Sequence, residues 1–322
     1  MNWTENKQPI LGLAPMADMT DSPFCKTVRS IGGADVVFRE MVSSEALVRN
    51  SGKTLKMTEF AEEERPIVQQ IFGSDPKTMA RATRIILDHS NPEGIDINMG
   101  CPVYKMTSNF NGSALMKDTE LAGRIVKAVK TEIGDVPLSV KIRLGWDNPN
   151  QFKKIIPVLE ENGIDLISIH GRTKEQGYSG ESDWLRIAEA KQMAKVPILA
   201  NGDISTPELV DEALKITKAD GVLIGRGVLG NPWFFYQYKN TSKEIIIEER
   251  IKVIKQHAKV HCNFYGERGM ITFRKHLSWY FKSNKLGEDF PKIKEFRAKL
   301  VRLNSLDELD KLLDEFEKTK FS

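Results

Sequence analysis

Residues 198–227 read ILANGDISTPELVDEALKITKADGVLIGRG, and this stretch decides the fold that the sequence predicts. Two short apolar runs lie on either side of a segment whose apolar residues recur at helical spacing. The first run ends in Asn201-Gly202-Asp203 and the second in Gly225-Arg226-Gly227. Because two strands joined by a crossover helix run parallel, the stretch predicts one β-α-β unit.

The same unit recurs toward the N-terminus of the chain. Eight parallel strands with helical crossovers predict a (β/α)₈ TIM barrel, whose functional groups lie at the C-terminal ends of its strands. An open doubly wound sheet is the alternative, but no Gly-x-Gly-x-x-Gly turn follows the first predicted strand. The predicted strands are Ile10–Ala14, Asp35–Arg39, Ile67–Phe72, Ile95–Asn98, Leu138–Arg143, Leu166–His170, Ile198–Asn201 and Gly221–Ile224.

The pattern changes near residue 240, after which helix follows helix without a β-rich run. Three apolar stripes at helical spacing predict a small bundle. They are Ile251, Ile254, Ala258 and His261; Phe296, Leu300 and Leu303; and Leu306, Leu309, Leu312, Leu313 and Phe316. We therefore predict two domains, a barrel over 1–239 and a helical bundle over 240–322.

Positive charge is concentrated in the predicted bundle. Residues 250–304 contain 14 lysines and arginines against 4 acidic residues, whereas the whole chain has a net charge of +3. A basic segment behind a mildly acidic body indicates a polyanionic partner. The alternative is a lysine-rich helical face that is only solvated.

Cysteine usage and hydropathy indicate the class of protein. Cys25, Cys101 and Cys262 are odd in number and widely spaced, so they predict neither a disulfide framework nor a metal site. The N-terminus lacks a secretory signal pattern, and no apolar stretch approaches the length of about 18 residues that spans a bilayer. We expect a soluble cytoplasmic protein with no membrane contact and no metal.

Glycine-rich turns after the last two strands favour a phosphate site. The loops after strands seven and eight bind phosphate recurrently in this fold. Gly202 and Gly225 allow backbone N–H groups to approach an anion, and Arg226 adds a charged contact. The alternative for Gly225-Arg226-Gly227 is a tight turn with a surface arginine.

Three further polar residues interrupt apolar strands. Lys141 lies within the fifth predicted strand, where a buried ammonium needs a partner. Gln70 and Asn98 offer amide donors and acceptors that suit the edge of a flavin or pyrimidine ring, although a satisfied polar residue at a strand end is the alternative. A lysine, an amide and a phosphate cup together suit a mononucleotide.

Cys101 lies directly before Pro102, which restricts its backbone to extended geometry. A thiol with an ordinary pKa of about 8.5 is mostly protonated at neutral pH, so it can act as a general acid. A nucleophile assisted by a base such as His170, or an inert buried thiol, remains open at this point.

Together these motifs resemble the tRNA-dihydrouridine synthase family, from about Ile10 to about Asn304. Seven motifs occur in order at predicted strand ends, which makes the resemblance specific. They are Ala14-Pro15-Met16-Ala17, Gln70-Ile71-Phe72-Gly73, Asn98-Met99-Gly100-Cys101-Pro102, Lys141-Ile142-Arg143, His170-Gly171-Arg172-Thr173, Asn201-Gly202-Asp203 and Gly225-Arg226-Gly227.

The resemblance implies an FMN cofactor that NADPH reduces. Reduced flavin would pass hydride from N5 to C6 of a uridine in tRNA, and Cys101 would protonate C5. The implied FMN contacts are Pro15, Met16, Ala17, Gln70, Lys141, His170, Asn201, Gly202, Asp203, Gly225 and Arg226. The implied substrate contacts are Asn98, Lys105, Arg143, Arg172, Arg274 and Lys275, and the bundle would be the tRNA-binding domain of a monomer.

The loop over 103–111 departs from the family pattern, with Met106 where many relatives have valine and Asn109 near the position of a basic residue. Which uridine is modified therefore stays open. A dihydroorotate or dihydropyrimidine dehydrogenase is the nearest alternative function, although a free pyrimidine needs no basic bundle. A non-catalytic tRNA-binding protein and a Schiff-base lyase using Lys141 are the others.

Overall fold

The computed structural model describes residue 3 and residues 8–240, 244–282 and 293–320, with side chains of the last range up to 318. Eight parallel strands close into a barrel in chain order, and β8 pairs with β1. The predicted (β/α)₈ barrel is therefore confirmed. The strands are β1 Ile10–Leu13, β2 Val36–Ser43, β3 Ile67–Phe72, β4 Gly94–Met99, β5 Leu138–Arg143, β6 Leu166–His170, β7 Ile198–Asn201 and β8 Gly221–Ile224.

Strand β2 differs most from its sequence prediction, because it extends to Ser43 instead of ending at Arg39. Its register against β3 shifts between Arg39 and Val42. Such an irregularity lets pairing resume beyond it. The sequence offered no signal for this shift, since the residues involved show no strict alternation of apolar and polar side chains.

The barrel closes where β1 meets β8. Ile10 pairs with Gly221, and a Cβ added at Gly221 would lie 2.2 Å from the Ile10 carbonyl oxygen. Only glycine therefore fits this position. The base of the barrel is filled by apolar side chains, among them Trp3, which stacks on Phe38 with ring centroids 6.2 Å apart.

Helices connect the strands and then continue alone. Asp75 caps the helix that follows β3 by accepting the Thr78 N–H at 2.8 Å, as its Ser-Asp-Pro sequence predicts. The helices are α1 Ser22–Ile31, α2 Ser44–Val48, α3 Gly52–Lys56, α4 Pro76–Ser90, α5 Tyr104–Thr107, α6 Thr119–Ile133, α7 Phe152–Glu161, α8 Trp184–Met193, α9 Leu209–Thr217, α10 Phe234–Lys239, α11 Ile247–Tyr265, α12 Gly269–Tyr280, α13 Ile293–Leu300 and α14 Leu306–Lys320. Short 3₁₀ turns occur at Glu62–Glu64, Gly112–Lys117 and Gly266–Arg268.

The chain divides into two compact units. The first comprises Met1–Ser22 and Ala34–Gly225, and the second comprises Pro23–Gly33 and Arg226–Ser322. The second unit has its own apolar core, to which all three predicted stripes contribute. Its helices α11 to α14 confirm the helical character expected after residue 240, while the domain boundary proposed there stays a prediction. No helix in the described ranges is long and apolar enough to cross a membrane.

Candidate active site

Polar residues from neighbouring strands meet at the C-terminal rim of the barrel because the strands are in register. Asn98 on β4 pairs with Lys141 on β5, and His170 on β6 pairs with Asn201 on β7. Gln70 on β3 pairs with Asp96 on β4. The first unit thus assembles, on one rim, polar side chains that come from separate motifs of the sequence.

A chain of hydrogen bonds leads from Asp96 to Cys101. The Gln70 amide donates to the Asp96 carboxylate at 2.6 Å, and the Asn98 amide donates to Gln70 Oε1 at 2.8 Å. Asn98 Oδ1 then accepts the backbone N–H groups of Gly100 and Cys101, at 3.2 and 2.9 Å. A side chain that was expected to contact substrate therefore also fixes the backbone that carries the cysteine.

The Cys101 backbone is held from the other side by the turn at Gly112–Lys117. Ser113 donates to the Cys101 carbonyl through both its backbone N–H and its hydroxyl, at 3.1 and 2.9 Å. Gly112 has φ +60° and packs so closely that an added Cβ would lie 2.8 Å from that carbonyl oxygen. The half-buried thiol is thus presented by a loop fixed at both ends.

Burial raises the pKa of the Cys101 thiol above its ordinary value. A backbone hydrogen bond at Val103 and the charges of Arg143 and Lys141 oppose that effect without cancelling it. The thiol is therefore protonated at neutral pH, which a general acid requires and a nucleophile does not. The nearby cations stabilise the thiolate that remains once a proton has been given up.

Lys141 has a neutral amide as its hydrogen-bond partner, while the charges of Arg143 and Asp96 act on it from a greater distance. Its ammonium donates to Asn201 Oδ1 at 2.9 Å, and no carboxylate of a described residue lies within 4.0 Å of it. Burial, followed by the charge of Arg143, lowers the pKa of Lys141 to about 8. An ammonium without an anionic partner is suited to an electron-rich or anionic ligand.

The guanidinium of Arg172 contacts the side chains of both His170 and Asp203. It makes hydrogen bonds to both Asp203 carboxylate oxygens, at 2.8 and 2.7 Å, and to the carbonyls of Ser179 and Gly180. The fifth N–H faces His170 Nε2 at 3.3 Å, and since arginine remains protonated, this nitrogen is the acceptor and Nδ1 carries the proton. All five donors are engaged by these partners, so a contact between Arg172 and substrate, which stays a prediction, would require one of these bonds to open.

Arg143 is likewise held by hydrogen bonds within the protein. It is 2% exposed and donates to the carbonyls of Gly100, Thr173 and Gly177, each at 2.8 Å. These bonds connect the cysteine loop to the loop after β6. Direct contact between Arg143 and substrate therefore stays a prediction, while its charge acts on Cys101.

The expected cofactor residues lie at the ends of β1, β7 and β8. Pro15 and Met16 are half-buried and Ala17 is exposed. A Cβ at Gly225 would meet Met16 at 3.5 Å in ordinary contact, while Gly202 has φ +116°, which favours glycine. Arg226 is exposed and opens the second unit, so its contact with the cofactor stays a prediction.

The expected RNA contacts differ in how they are held. Arg274 donates to the carbonyls of Leu303 and Arg302 and to Asn304 Oδ1, which makes it a brace within the bundle. Lys275 is half-buried on the same helix, and Lys105 is exposed next to Tyr104, which is 83% exposed. Phosphate contact by Arg274, Lys275 and Lys105 stays a prediction, and the two lysines have no comparable bonds to backbone carbonyls among the described residues.

Asp96 and Ser139 were missed as functional residues by sequence reasoning. Asp96 is fully buried, accepts from Ser139 Oγ at 2.6 Å, and has its pKa raised by burial to about 6. The available signal was its position two residues before Asn98, because residues two apart on a strand share a face. Ser113 was missed because its contact with Cys101 spans twelve residues of loop.

Comparisons with known proteins identify the class. A family model described as dihydrouridine synthase (Dus) matches residues 12–321. A tRNA-dihydrouridine synthase B from Pseudomonas aeruginosa is 38% identical over 304 residues, which cover 92% of this chain and 89% of that protein. A protein of the same name from Xanthomonas axonopodis pv. citri is 36% identical over 310 residues, covering 93% and 90%.

Solved structures support the fold. The old yellow enzyme homologue from Zymomonas mobilis superposes with a TM-score of 0.56 over 78% of this chain and 96% of that one, at 13% identity. The old yellow enzyme from Trypanosoma cruzi gives a TM-score of 0.56 over 74% of this chain and 91% of that one, at 10% identity.

The chain belongs to the dihydrouridine synthase family, and it is a flavin-dependent oxidoreductase. This membership does not support the small-molecule dehydrogenase alternative.

Proposed function

We propose that this protein reduces a uridine of tRNA to 5,6-dihydrouridine, with FMN as cofactor and Cys101 as the proton donor. The observation that carries the proposal is the half-buried thiol of Cys101, whose backbone Asn98 and Ser113 fix at the rim of the barrel. Burial raises the pKa of this thiol, which favours its protonated form. Family membership supports the reaction, and the geometry of this loop supports the role of the cysteine.

The rim residues fit a flavin. Lys141, without a carboxylate partner among the described residues, suits the electron-rich pyrimidine side of the ring system. The backbone at Gly202 and Gly225 suits a phosphate. When bound, FMN reduced by NADPH supplies a hydride to C6 of the uracil.

Cys101 completes the reduction at C5. The S–H bond breaks, its proton forms the new C5–H bond, and its electron pair remains on sulfur as a thiolate. The charges of Lys141 and Arg143 stabilise that thiolate, since both favour the deprotonated form. Because Cys101 is not fully buried, the thiol can recover its proton from water before the next turnover.

Asn98 serves chiefly to position the donor. Its amide nitrogen faces Gln70 Oε1 at 2.8 Å and Met41 Sδ at 3.4 Å, and its oxygen accepts two backbone N–H groups. Direct recognition of the uracil by Asn98 would require one of these bonds to open. We therefore assign Asn98 a role in fixing the position of the Cys101 backbone at the rim of the barrel.

Recognition of tRNA is proposed for the basic C-terminal bundle, over residues 240–322, and for the short helix α5, which carries the exposed Lys105. A uridine in folded tRNA must be extruded before it reaches an active site at a barrel rim. Lysine charges supply the sequence-independent phosphate contacts that docking needs. The proposal also includes NADPH as the physiological reductant. It further includes a monomeric state and a cytoplasmic location.

Incubation of the FMN-loaded protein with unmodified tRNA and NADPH tests the function. Mapping the products by mass spectrometry should reveal dihydrouridine at a defined position. Free uridine and dihydroorotate serve as competing substrates in parallel reactions. Turnover of a free pyrimidine with none on tRNA would contradict the proposed substrate.

A further inference from the structure

Three histidines from two helices of the second unit converge on one another. His257 and His261 lie one turn apart on α11, and His276 lies on α12. All three are buried, with exposures of 0%, 0% and 2%. One nitrogen from each lies within 4.8 Å of the others, and the cluster, as far as the structure describes the chain, contains no carboxylate or thiol.

Two of these histidines leave a ring nitrogen unused. Nε2 of His257 and Nε2 of His276 are buried and make no hydrogen bond within the described residues. A buried polar nitrogen without a partner is unfavourable, because it has lost its hydration and gained nothing in exchange. Packing against Phe24 and Phe273 accounts for the rings of His257 and His276, but not for these nitrogens.

Neighbouring hydroxyls orient two of the rings. The Thr272 hydroxyl donates to the Gly269 carbonyl at 3.0 Å, so it accepts from His261 Nε2 at 2.9 Å. That arrangement places the proton of His261 on Nε2 and the lone pair on Nδ1. His257 Nδ1 lies 3.0 Å from the Tyr280 hydroxyl, which engages Nδ1 and leaves Nε2 for another partner. Such hydrogen bonds to the distal nitrogen are typical of histidines that bind metals.

The surroundings keep the imidazoles neutral. Burial lowers the pKa of each of the three histidines, and the Lys275 ammonium lowers it further. Neutral imidazole is the form that coordinates a metal.

We propose that His257, His261 and His276 bind one divalent transition-metal ion of the zinc type. Imidazole nitrogens lie about 2.0–2.1 Å from Zn²⁺, so the three nitrogens must approach one another by roughly 1 Å through ring rotations. Three protein ligands leave one position for water. The ion would cross-link α11 to α12 and stabilise the helical unit, without entering the flavin chemistry.

Metal binding by the FMN-loaded, untagged protein tests this proposal. After treatment with a chelator, the protein is titrated with Zn²⁺ by calorimetry and with Co²⁺ by visible absorption. We expect one ion per chain, the d–d bands of nitrogen-coordinated cobalt, and a thermal midpoint that rises with Zn²⁺ concentration. Failure of the wild-type protein to bind either ion at one per chain would overturn the proposal.

Variants separate this site from adventitious binding. His261→Leu should abolish the stoichiometric site, whereas His89→Gln should retain it, because His89 is partly exposed and lies outside the cluster. Thr272→Val removes the hydrogen bond to His261 and should weaken Zn²⁺ binding about 10–100-fold. Equal affinity in wild type and Thr272→Val would contradict the proposal even if His261→Leu does not fold.

Discussion

The side-chain oxygen of Asn98 accepts the backbone N–H of Cys101 at 2.9 Å. Through Gln70, the same amide is connected to the buried carboxylate of Asp96. An ionised carboxylate only accepts hydrogen bonds, so it determines which way both amides point. The orientation of Asn98, and with it the backbone that carries Cys101, therefore depends on a group deep in the barrel.

Asp96→Asn should lower kcat for uridine reduction while changing KM for tRNA little. An amide at position 96 places N–H groups against Gln70 or Ser139, which favours flipping of Gln70 and Asn98. We expect a loss of about 10-fold or more, on the scale of displaced catalytic geometry. Ser139→Ala is the matched control, because it removes one bond to Asp96 and leaves the amide chain intact. Equal losses in the two variants would argue against the orienting role.

The affinity for FMN should fall as pH rises above about 8. Lys141 has its pKa lowered to about 8, so it is charged below that pH and neutral above it. If the charged form binds flavin more tightly, affinity is constant at low pH and decreases once the free protein loses the proton. Fluorescence titrations from pH 6 to 10 measure this, and Lys141→Met should bind more weakly with a flatter profile. A wild-type profile as flat as that of Lys141→Met would refute the assignment.

Gly112→Ala should reduce uridine reduction more than FMN content. A Cβ at Gly112 meets the Cys101 carbonyl at 2.8 Å, so the loop must shift the cysteine. Gly134 is the matched control, since its φ of +59° is nearly the same but nothing lies within 4 Å of an added Cβ. Both variants should lose stability from the positive φ, by about 1 kcal/mol or more. Only Gly112→Ala should show an additional loss of kcat, and equal kcat values would show that crowding at Cys101 is unimportant.

Lys275→Glu should weaken tRNA binding and reduce its dependence on salt. Each phosphate contact contributes about one unit to the slope of log affinity against log salt concentration. Lys195→Glu is the control, because Lys195 is exposed just before β7, at the opposite end of its strand from the rim. Reduction of bound flavin by NADPH should be unchanged in both. A salt slope for Lys275→Glu equal to that of wild type would exclude a phosphate contact at this lysine.

The strand pattern could be predicted because each strand is a short apolar run that ends in a polar or glycine-rich turn. Cys101, Lys141 and Asn201 could be selected for the same reason, since strand ends converge in this fold. The internal hydrogen bonds of Arg143, Arg172 and Arg274 could not be predicted, because their partners are mostly backbone carbonyls that any sequence supplies. The sequence does not distinguish an exposed arginine from one that donates to the carbonyls of neighbouring loops, because the positions of those loops are not known from the sequence.

The histidine cluster could not be predicted from the sequence, for a different reason. His261 and His276 lie on separate helices, and only the packing of α11 on α12 brings them together. The sequence places His261 in an apolar stripe, and the burial of its side chain agrees with that pattern. Helical spacing identifies which side of a helix is buried. It does not identify the residues of a neighbouring helix that pack against that side.

Anaerobic single-turnover kinetics test the role of Cys101 most directly. Wild type, Cys101→Ala and Cys262→Ala are loaded with FMN, reduced, and mixed with unmodified tRNA. Flavin oxidation is followed together with dihydrouridine formation. Wild type and Cys262→Ala should react at the same rate, and Cys101→Ala should be slower by about 10²–10⁴-fold, the range typical of general acid catalysis. Dihydrouridine formed by Cys101→Ala at the wild-type rate would contradict the assignment of Cys101 as the proton donor.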